Sequence, residues 1–79
     1  MRARVHVTLK DGVLDPQGEA VGHALASLGF SGVEGARIGK IVDLELADVD
    51  GAAARARVEA MCEKLLANTV IEDYRVEME

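Results

Sequence analysis

At 79 residues the chain suits one small domain, and a domain of that size buries only around 60% of the surface its unfolded form exposes, so self-association or a partner would widen a narrow margin of stability. A net charge of −5 with one Phe, one Tyr and no Trp argues against a nucleic-acid binder, which needs a basic footprint or an aromatic platform for bases. Cys62, the single cysteine, cannot close an internal disulfide, the N-terminal segment has no apolar core of signal-peptide length, and no run approaches a membrane span, so the sequence reads as a soluble cytoplasmic domain.

Ala3, Val5, Val7 and Leu9 alternate with Arg2, Arg4, His6, Thr8 and Lys10, the period of a strand with one buried face. His6 falls on the polar side and reads as solvated, because no second ligand lies at metal spacing. The stretch Gly12 to Gly18, GVLDPQG, then combines a turn, a cap and a helix start. Pro16 is the only proline, and its fixed φ and missing N–H suit the first helical position. Proline drives the preceding Asp15 toward extended backbone, where its carboxylate can accept from the orphan amides and meet the positive end of the helix dipole. Gly12 and Gly18 permit a tight backbone or close approach of another surface. Asp11 and Asp15 flank this loop and would repel a phosphate.

Ala20, Val21, Ala24, Leu25 and Leu28 recur at helical spacing, which predicts a first helix from Pro16 to Leu28. Gly29 sits where a left-handed residue ends a helix, with Phe30 packing back on Leu25. Gly22 inside the helix suits close packing on a sheet, and His23 lies off the apolar stripe. Val33 to Ile38 is the expected second strand, Gly39-Lys40 a turn, and Ile41 to Leu46 the third strand of an antiparallel hairpin. Ala47 to Asp50 is an acidic loop, with Asp50 as N-cap of a second helix over Gly51 to Ala67. Its stripe is Ala54, Val58, Met61, Cys62, Leu65 and Leu66, where Cys62 is a small buried hydrophobe. Asn68 tolerates the left-handed conformation and ends the helix. Thr69 to Met78 is the last strand, with a break in parity over Val70 to Asp73 that marks a bend or lead-in loop.

The order β-α-β-β-α-β predicts a ferredoxin-like α+β fold in one domain, residues 1–79: an antiparallel sheet, two helices on one face, and the second and fourth strands as open edges. Chemistry is sparse. No paired histidines, CxxC, phosphate-binding loop or nucleophile elbow occurs. The carboxylate pairs Asp48/Asp50 and Glu72/Asp73 fall in solvated loops with nothing nearby to separate their pKa values. The residues alone describe a small acidic domain without catalytic, cofactor-binding or metal-binding groups.

Three stretches carry a resemblance beyond that. LKDGVLDPQGEAV (Leu9 to Val21), VEGARIGKIVDLEL (Val33 to Leu46) and MCEKLLANTVIEDY (Met61 to Tyr74) closely resemble the PurS family along nearly the whole chain and in the same order. One departure is Thr69 after Asn68, where the family usually has proline. The resemblance implies the small subunit of phosphoribosylformylglycinamidine synthase, the glutamine-dependent amidation step of purine synthesis. In that split enzyme the PurL synthetase and the PurQ glutaminase do the chemistry with ATP, Mg and glutamine. The small subunit has no catalytic residues or cofactor of its own, self-associates as a dimer or tetramer, bridges the two enzymes and supports ammonia transfer. The expected partner contacts are Lys10, Asp11, Asp15 and Gln17 in the first loop, Arg37 and Lys40 at the hairpin tip, and Asn68, Glu72, Asp73 and Tyr74 after the second helix. Two rival classes share the element order. One is a ferredoxin-like regulatory module that binds a small molecule. The other is an acylphosphatase-like hydrolase, which would need an anion-cradling arginine at the first strand–helix junction where this chain is acidic.

Overall fold

The alternating N-terminal segment forms β1 (Arg2–Leu9), the middle strand of a three-stranded antiparallel sheet in a computed structural model that describes residues 1–47 and 50–79. Asp48, one of the expected loop carboxylates, lies outside the described residues. β2 (Gly39–Glu45) pairs along one side of β1 with Val42 opposite Val5, and β3 (Glu72–Met78) pairs along the other with Val76 opposite Val5. Because side chains alternate along a strand, this register puts Ala3, Val5 and Val7 on one face with Val42 and Leu44 and with Tyr74, Val76 and Met78.

The other face is polar and cross-linked by charge. Arg4 meets Asp43 at 2.8 Å, Arg2 meets Glu45 at 3.1 Å, and Glu77 receives both His6 at 2.7 Å and Arg75 at 2.8 Å. The Arg4 guanidinium holds the Asp43 carboxyl below its ordinary range, and Arg75 and His6 do the same for Glu77. Such exposed pairs add little stability, but they favour this register over a slipped one.

α2 (Gly51–Met61) starts at Asp50, whose carboxylate accepts the Ala52 N–H at 3.3 Å. It buries Ala54 and Val58, and Val58 with Cys62 completes a core around Val5 and Val7. The helix does not run regularly to Ala67. Residues Cys62–Leu66 form a π-helical turn, closed by Ala67 N–H donating to the Cys62 carbonyl at 3.1 Å, one residue further than α-helical spacing. The extra residue rotates the stripe: Leu65, expected inside, is 82% exposed, while Ala67 is buried. Asn68 is not left-handed, since no described residue other than glycine has a positive φ. Instead its side chain accepts the Val70 N–H at 3.2 Å and its carbonyl accepts from Ile71 and Glu72, a turn built from its own oxygens. β3 therefore starts at Glu72 rather than Thr69, and Glu72 and Asp73 are strand residues, not loop residues.

α1 (Pro16–Ser27) begins as its sequence predicts, with Pro16 in the first turn and the Asp15 carboxylate accepting the Gly18 N–H at 2.8 Å. It ends at Gly29 (φ 92°) in a Schellman stop, where Phe30 N–H bonds the Leu25 carbonyl at 3.0 Å and Gly29 N–H the Ala26 carbonyl at 3.1 Å. The ferredoxin-like α+β plan holds in its sheet and helix order, with two differences. Residues Val33 to Ile38 join no sheet, and Gly39 and Lys40, expected as a turn, already belong to β2. The sheet edges are therefore β2 and β3.

The second difference is that α1 makes no extensive contact with any strand, whereas α2 packs against β3. Both differences have one cause. The chain after Gly32 runs back along α1 rather than beside β2, so closely that a Cβ on Gly18 would lie 2.3 Å from the Ala36 carbonyl. Helix and return segment form an arm, and Gly22, expected against the sheet, has nothing within 4 Å of where a Cβ would stand. The molecule measures 49 × 24 × 15 Å with a radius of gyration of 16.0 Å. A compact chain of this length has a radius of about 12 Å.

Candidate subunit-contact surface

Antiparallel pairing brings the end of β1 beside the starts of both β2 and β3, so three segments far apart in sequence meet at one end of the sheet. The first is the β1–α1 junction. Its Lys10 N–H donates to the Ile71 carbonyl at 2.8 Å, which ties it to the third segment. The second is Arg37 to Lys40. The Arg37 guanidinium donates to the Leu9 and Lys10 carbonyls and meets the Asp11 carboxylate at 3.2 Å. Asp15 completes the clasp: one carboxylate oxygen accepts the Gly18 N–H and the other the Ile38 N–H, each at 2.8 Å. The Ile38 and Gly18 amides, helped by the Arg37 charge, hold its carboxyl below the ordinary value. The third segment is Asn68 to Glu72, where the Glu72 carboxylate accepts the Asn68 N–H at 2.6 Å.

Between them lies an open cleft of about 270 Å³ lined by Asp15, Gln17, Gly39, Lys40 and Glu72 over Val7, Leu9 and Ile38. Of the residues singled out in the sequence, Lys10, Asp11, Asp15, Gln17, Arg37, Lys40, Asn68 and Glu72 thus share this end of the sheet. Asp73 lies opposite Thr8 on the polar face, and Tyr74 points to the core face opposite Val7. The neighbouring Glu63 carboxylate raises the Tyr74 hydroxyl above its ordinary pKa. Arg37 and Asp15 differ from the expected picture in kind. Their polar groups are occupied within the chain, so they set the geometry of the junction, whereas Lys40, Gln17 and the free edge of Asp11 face outward. Leu14 was not foreseen, while Val70 falls within the expected Asn68 to Tyr74 segment; both are exposed, in the first and third segments. A leucine standing in a turn between periodic elements was the signal available.

Among the described residues no group of three His, Cys, Asp or Glu side chains is arranged to hold a metal ion. Cys62 is fully buried, and burial together with Glu63 and Glu59 pushes its thiol pKa up, away from the thiolate a nucleophile requires. The arrangement offers instead a fixed, mixed polar and apolar surface built from three segments.

Comparison with known proteins agrees along the whole chain. The family model for PurS, phosphoribosylformylglycinamidine (FGAM) synthase, matches residues 2–79. The Bacillus subtilis phosphoribosylformylglycinamidine synthase subunit PurS is 53% identical over 78 residues, 99% of this chain and 92% of that protein. The crystal structure of Methanocaldococcus jannaschii PurS, a subunit of formylglycinamide ribonucleotide amidotransferase in the purine biosynthetic pathway, superposes with a TM-score of 0.88 at 40% identity, over 99% of this chain and 94% of that one. A chain in the structure of PurLQS from Thermotoga maritima superposes with a TM-score of 0.87 at 32% identity, over 96% of this chain and 93% of that one.

Proposed function

The chain belongs to the PurS family of phosphoribosylformylglycinamidine synthase subunits, and from that premise we propose that it holds the synthetase (PurL) and glutaminase (PurQ) subunits together and supports passage of ammonia between them. It acts in purine biosynthesis as a non-catalytic member of that complex. The observation that supports the bridging role best is the convergence of three segments on one end of the sheet, held by the Asp15 and Arg37 bonds. A rigid surface of this kind can orient two larger proteins. Its contribution is positional: ammonia released at one site must reach the next before it escapes to water, and fixing the two sites relative to each other keeps that path closed.

On this reading ATP, Mg and glutamine belong to the partner subunits, the complex works in the cytoplasm, and the chain is itself a dimer or tetramer. Lys10, Asp11, Gln17, Lys40 and the Asn68 to Asp73 segment make the outward contacts. The test is amidation by the matching synthetase and glutaminase with and without this chain, once with glutamine and once with ammonium salt. Glutamine-dependent activity is expected to need the chain and ammonium-dependent activity to ignore it. Equal indifference of both would overturn the bridging role and send the search to small molecules that stabilise the chain.

A further inference from the structure

Two Asp-Gly dipeptides occur in the chain, Asp11-Gly12 and Asp50-Gly51, and the fold treats them differently. An aspartate followed by glycine can rearrange without an enzyme. The backbone nitrogen after the aspartate attacks the side-chain carboxyl carbon, and glycine, having no Cβ, leaves that approach open. In a folded chain the reaction requires that carboxyl and amide be free to meet.

At Asp11 they are free. The residue follows β1 in a turn closed by the Val13 N–H on the Lys10 carbonyl at 3.1 Å. Its side chain is fully exposed and meets the Arg37 guanidinium at 3.2 Å, an exposed pair of the kind that water readily opens. The Gly12 N–H has no acceptor among the described residues. Gly12 has φ 84°, and nothing lies within 4 Å of where a Cβ would stand, so the peptide turns without meeting a neighbour. At Asp50 both groups are engaged. Its carboxylate accepts the Ala52 N–H at 3.3 Å, and its carbonyl accepts the Ala54 N–H at 2.8 Å at the start of α2. Ring closure there breaks both bonds. Among the other described aspartates, Asp15 precedes Pro16, which has no N–H, and Asp43 and Asp73 lie within strands.

We propose that Asp11-Gly12 is a site of spontaneous covalent modification, where the chain isomerises to isoaspartate. The Gly12 nitrogen bonds to the Asp11 side-chain carboxyl carbon. The carboxyl loses its hydroxyl, which leaves as water with the proton from that nitrogen, and a succinimide ring results. Water then adds to either ring carbonyl. Opening at the side-chain carbonyl restores aspartate. Opening at the main-chain carbonyl breaks its bond to the Gly12 nitrogen, so the chain runs on through the former side chain and the main-chain carbonyl becomes a carboxylate. One water leaves and one returns, and solvent is the only co-reactant. The product backbone is longer by a methylene and carries its carboxylate on a shorter stem. That moves the acid away from Arg37 and spoils the spacing of the bond between Lys10 and Val13. Because Asp11 stands in the first of the three converging segments, the surface they form changes with the age of the molecule.

The experiment incubates the full chain warm in mildly acidic buffer, native and, in parallel, unfolded in urea. Isoaspartate is counted by transfer of a labelled methyl group from S-adenosylmethionine with protein isoaspartyl methyltransferase, and electron-transfer fragmentation assigns it to a residue. In urea both dipeptides are expected to react alike. In the native chain residue 11 is expected to keep most of its urea rate. Residue 50 is expected to fall behind it by about tenfold, since a cap and a helical bond must first be given up. D11E keeps the charge but would need a larger ring, and it is expected to remove the signal at residue 11 and leave that at residue 50. In the isomerised fraction hydrogen exchange is expected to speed at the Val13 amide and stay slow at Val5 and Val7. Equal native rates at residues 11 and 50 would overturn the proposal by showing that the fold does not distinguish the two. Suppression of both in the native chain would overturn it by showing that the turn holds Asp11 away from the Gly12 nitrogen. Unchanged exchange at Val13 would overturn the effect on the surface.

Discussion

The two helices are nearly equal in length, 12 residues in α1 and 11 in α2, and both carry an apolar stripe, yet their fates differ. α2 buries Ala54 and Val58, and Val58 joins the core on the sheet. α1 buries only Gly18, and that contact is with its own return segment. The difference teaches that periodicity identifies which face of a helix is apolar but not what covers it. α2 follows β2 and leads into β3 through a short turn, so the chain's own connections place it on the sheet. α1 is held at its base by polar bonds that point it elsewhere.

Four experiments press on that contrast. Val58→Ala removes two methyls from a site with no exposure and is expected to cost on the order of 2 kcal/mol in urea unfolding. Val21→Ala, in chain dilute enough to be single, is expected to cost under about 0.5 kcal/mol. Equal costs for the two would mean that α1 packs on its own sheet after all. Next in size is Gly18→Ala. Its new Cβ would meet the Ala36 carbonyl, and relief requires the backbone to move, at about 1–3 kcal/mol. Hydrogen exchange should then speed at the Ile38 amide and stay slow at Val5 and Val7; uniform acceleration would show that arm and core unfold as one unit.

Arg37→Ala loosens the clasp. The side chain is 46% exposed, so the expected loss is only about 0.5–1 kcal/mol. Arg37→Lys should not restore it, because one ammonium cannot reproduce the forked grip on two carbonyls and a carboxylate. Full rescue by lysine would reduce Arg37 to a simple surface charge. The smallest effect is a pH dependence. The Asp15 carboxyl is depressed in the folded chain, so its contribution is complete above its ordinary value of 3.8 and disappears as pH falls through the lower folded value. The melting temperatures of wild type and Asp15→Asn should therefore differ by a few degrees near pH 6 and converge below pH 3.8. A gap that persisted in acid would mean that the amide disturbs the cap for a reason other than charge.

Much of the fold was legible because local chemistry decided it. The alternation in Arg2–Leu9, the Asp15-Pro16 start, the Gly29 stop and the Asp50 cap are each fixed within a few residues. What was not legible depended on contacts between distant residues. Val33 to Ile38 has the composition of a strand, yet the approach of Ala36 to Gly18 and the Ile38 to Asp15 bond draw it to the helix. Leu65 lies on a regular helical stripe until the turn at Cys62 to Leu66 widens by one residue. The same holds at the candidate contact surface. Sequence singled out most of its polar residues, but not that Arg37 and Asp15 are engaged inside the chain, because their partners are backbone groups that no residue type advertises.

The placement of the two chain ends has a practical consequence. Glu79 N–H bonds the Arg2 carbonyl at 2.9 Å, and the Met1 amino group lies 3.3 Å from the Leu46 carbonyl. Head and tail are therefore neighbours, the length of β1 away from the three converging segments, or about 25 Å for an eight-residue strand. A fluorophore or surface tether attached at either end is held clear of that region. A short linker could also close the chain into a ring and allow new ends to be opened at the arm's tip, between Leu28 and Gly32, which would divide the arm while leaving every strand pairing intact.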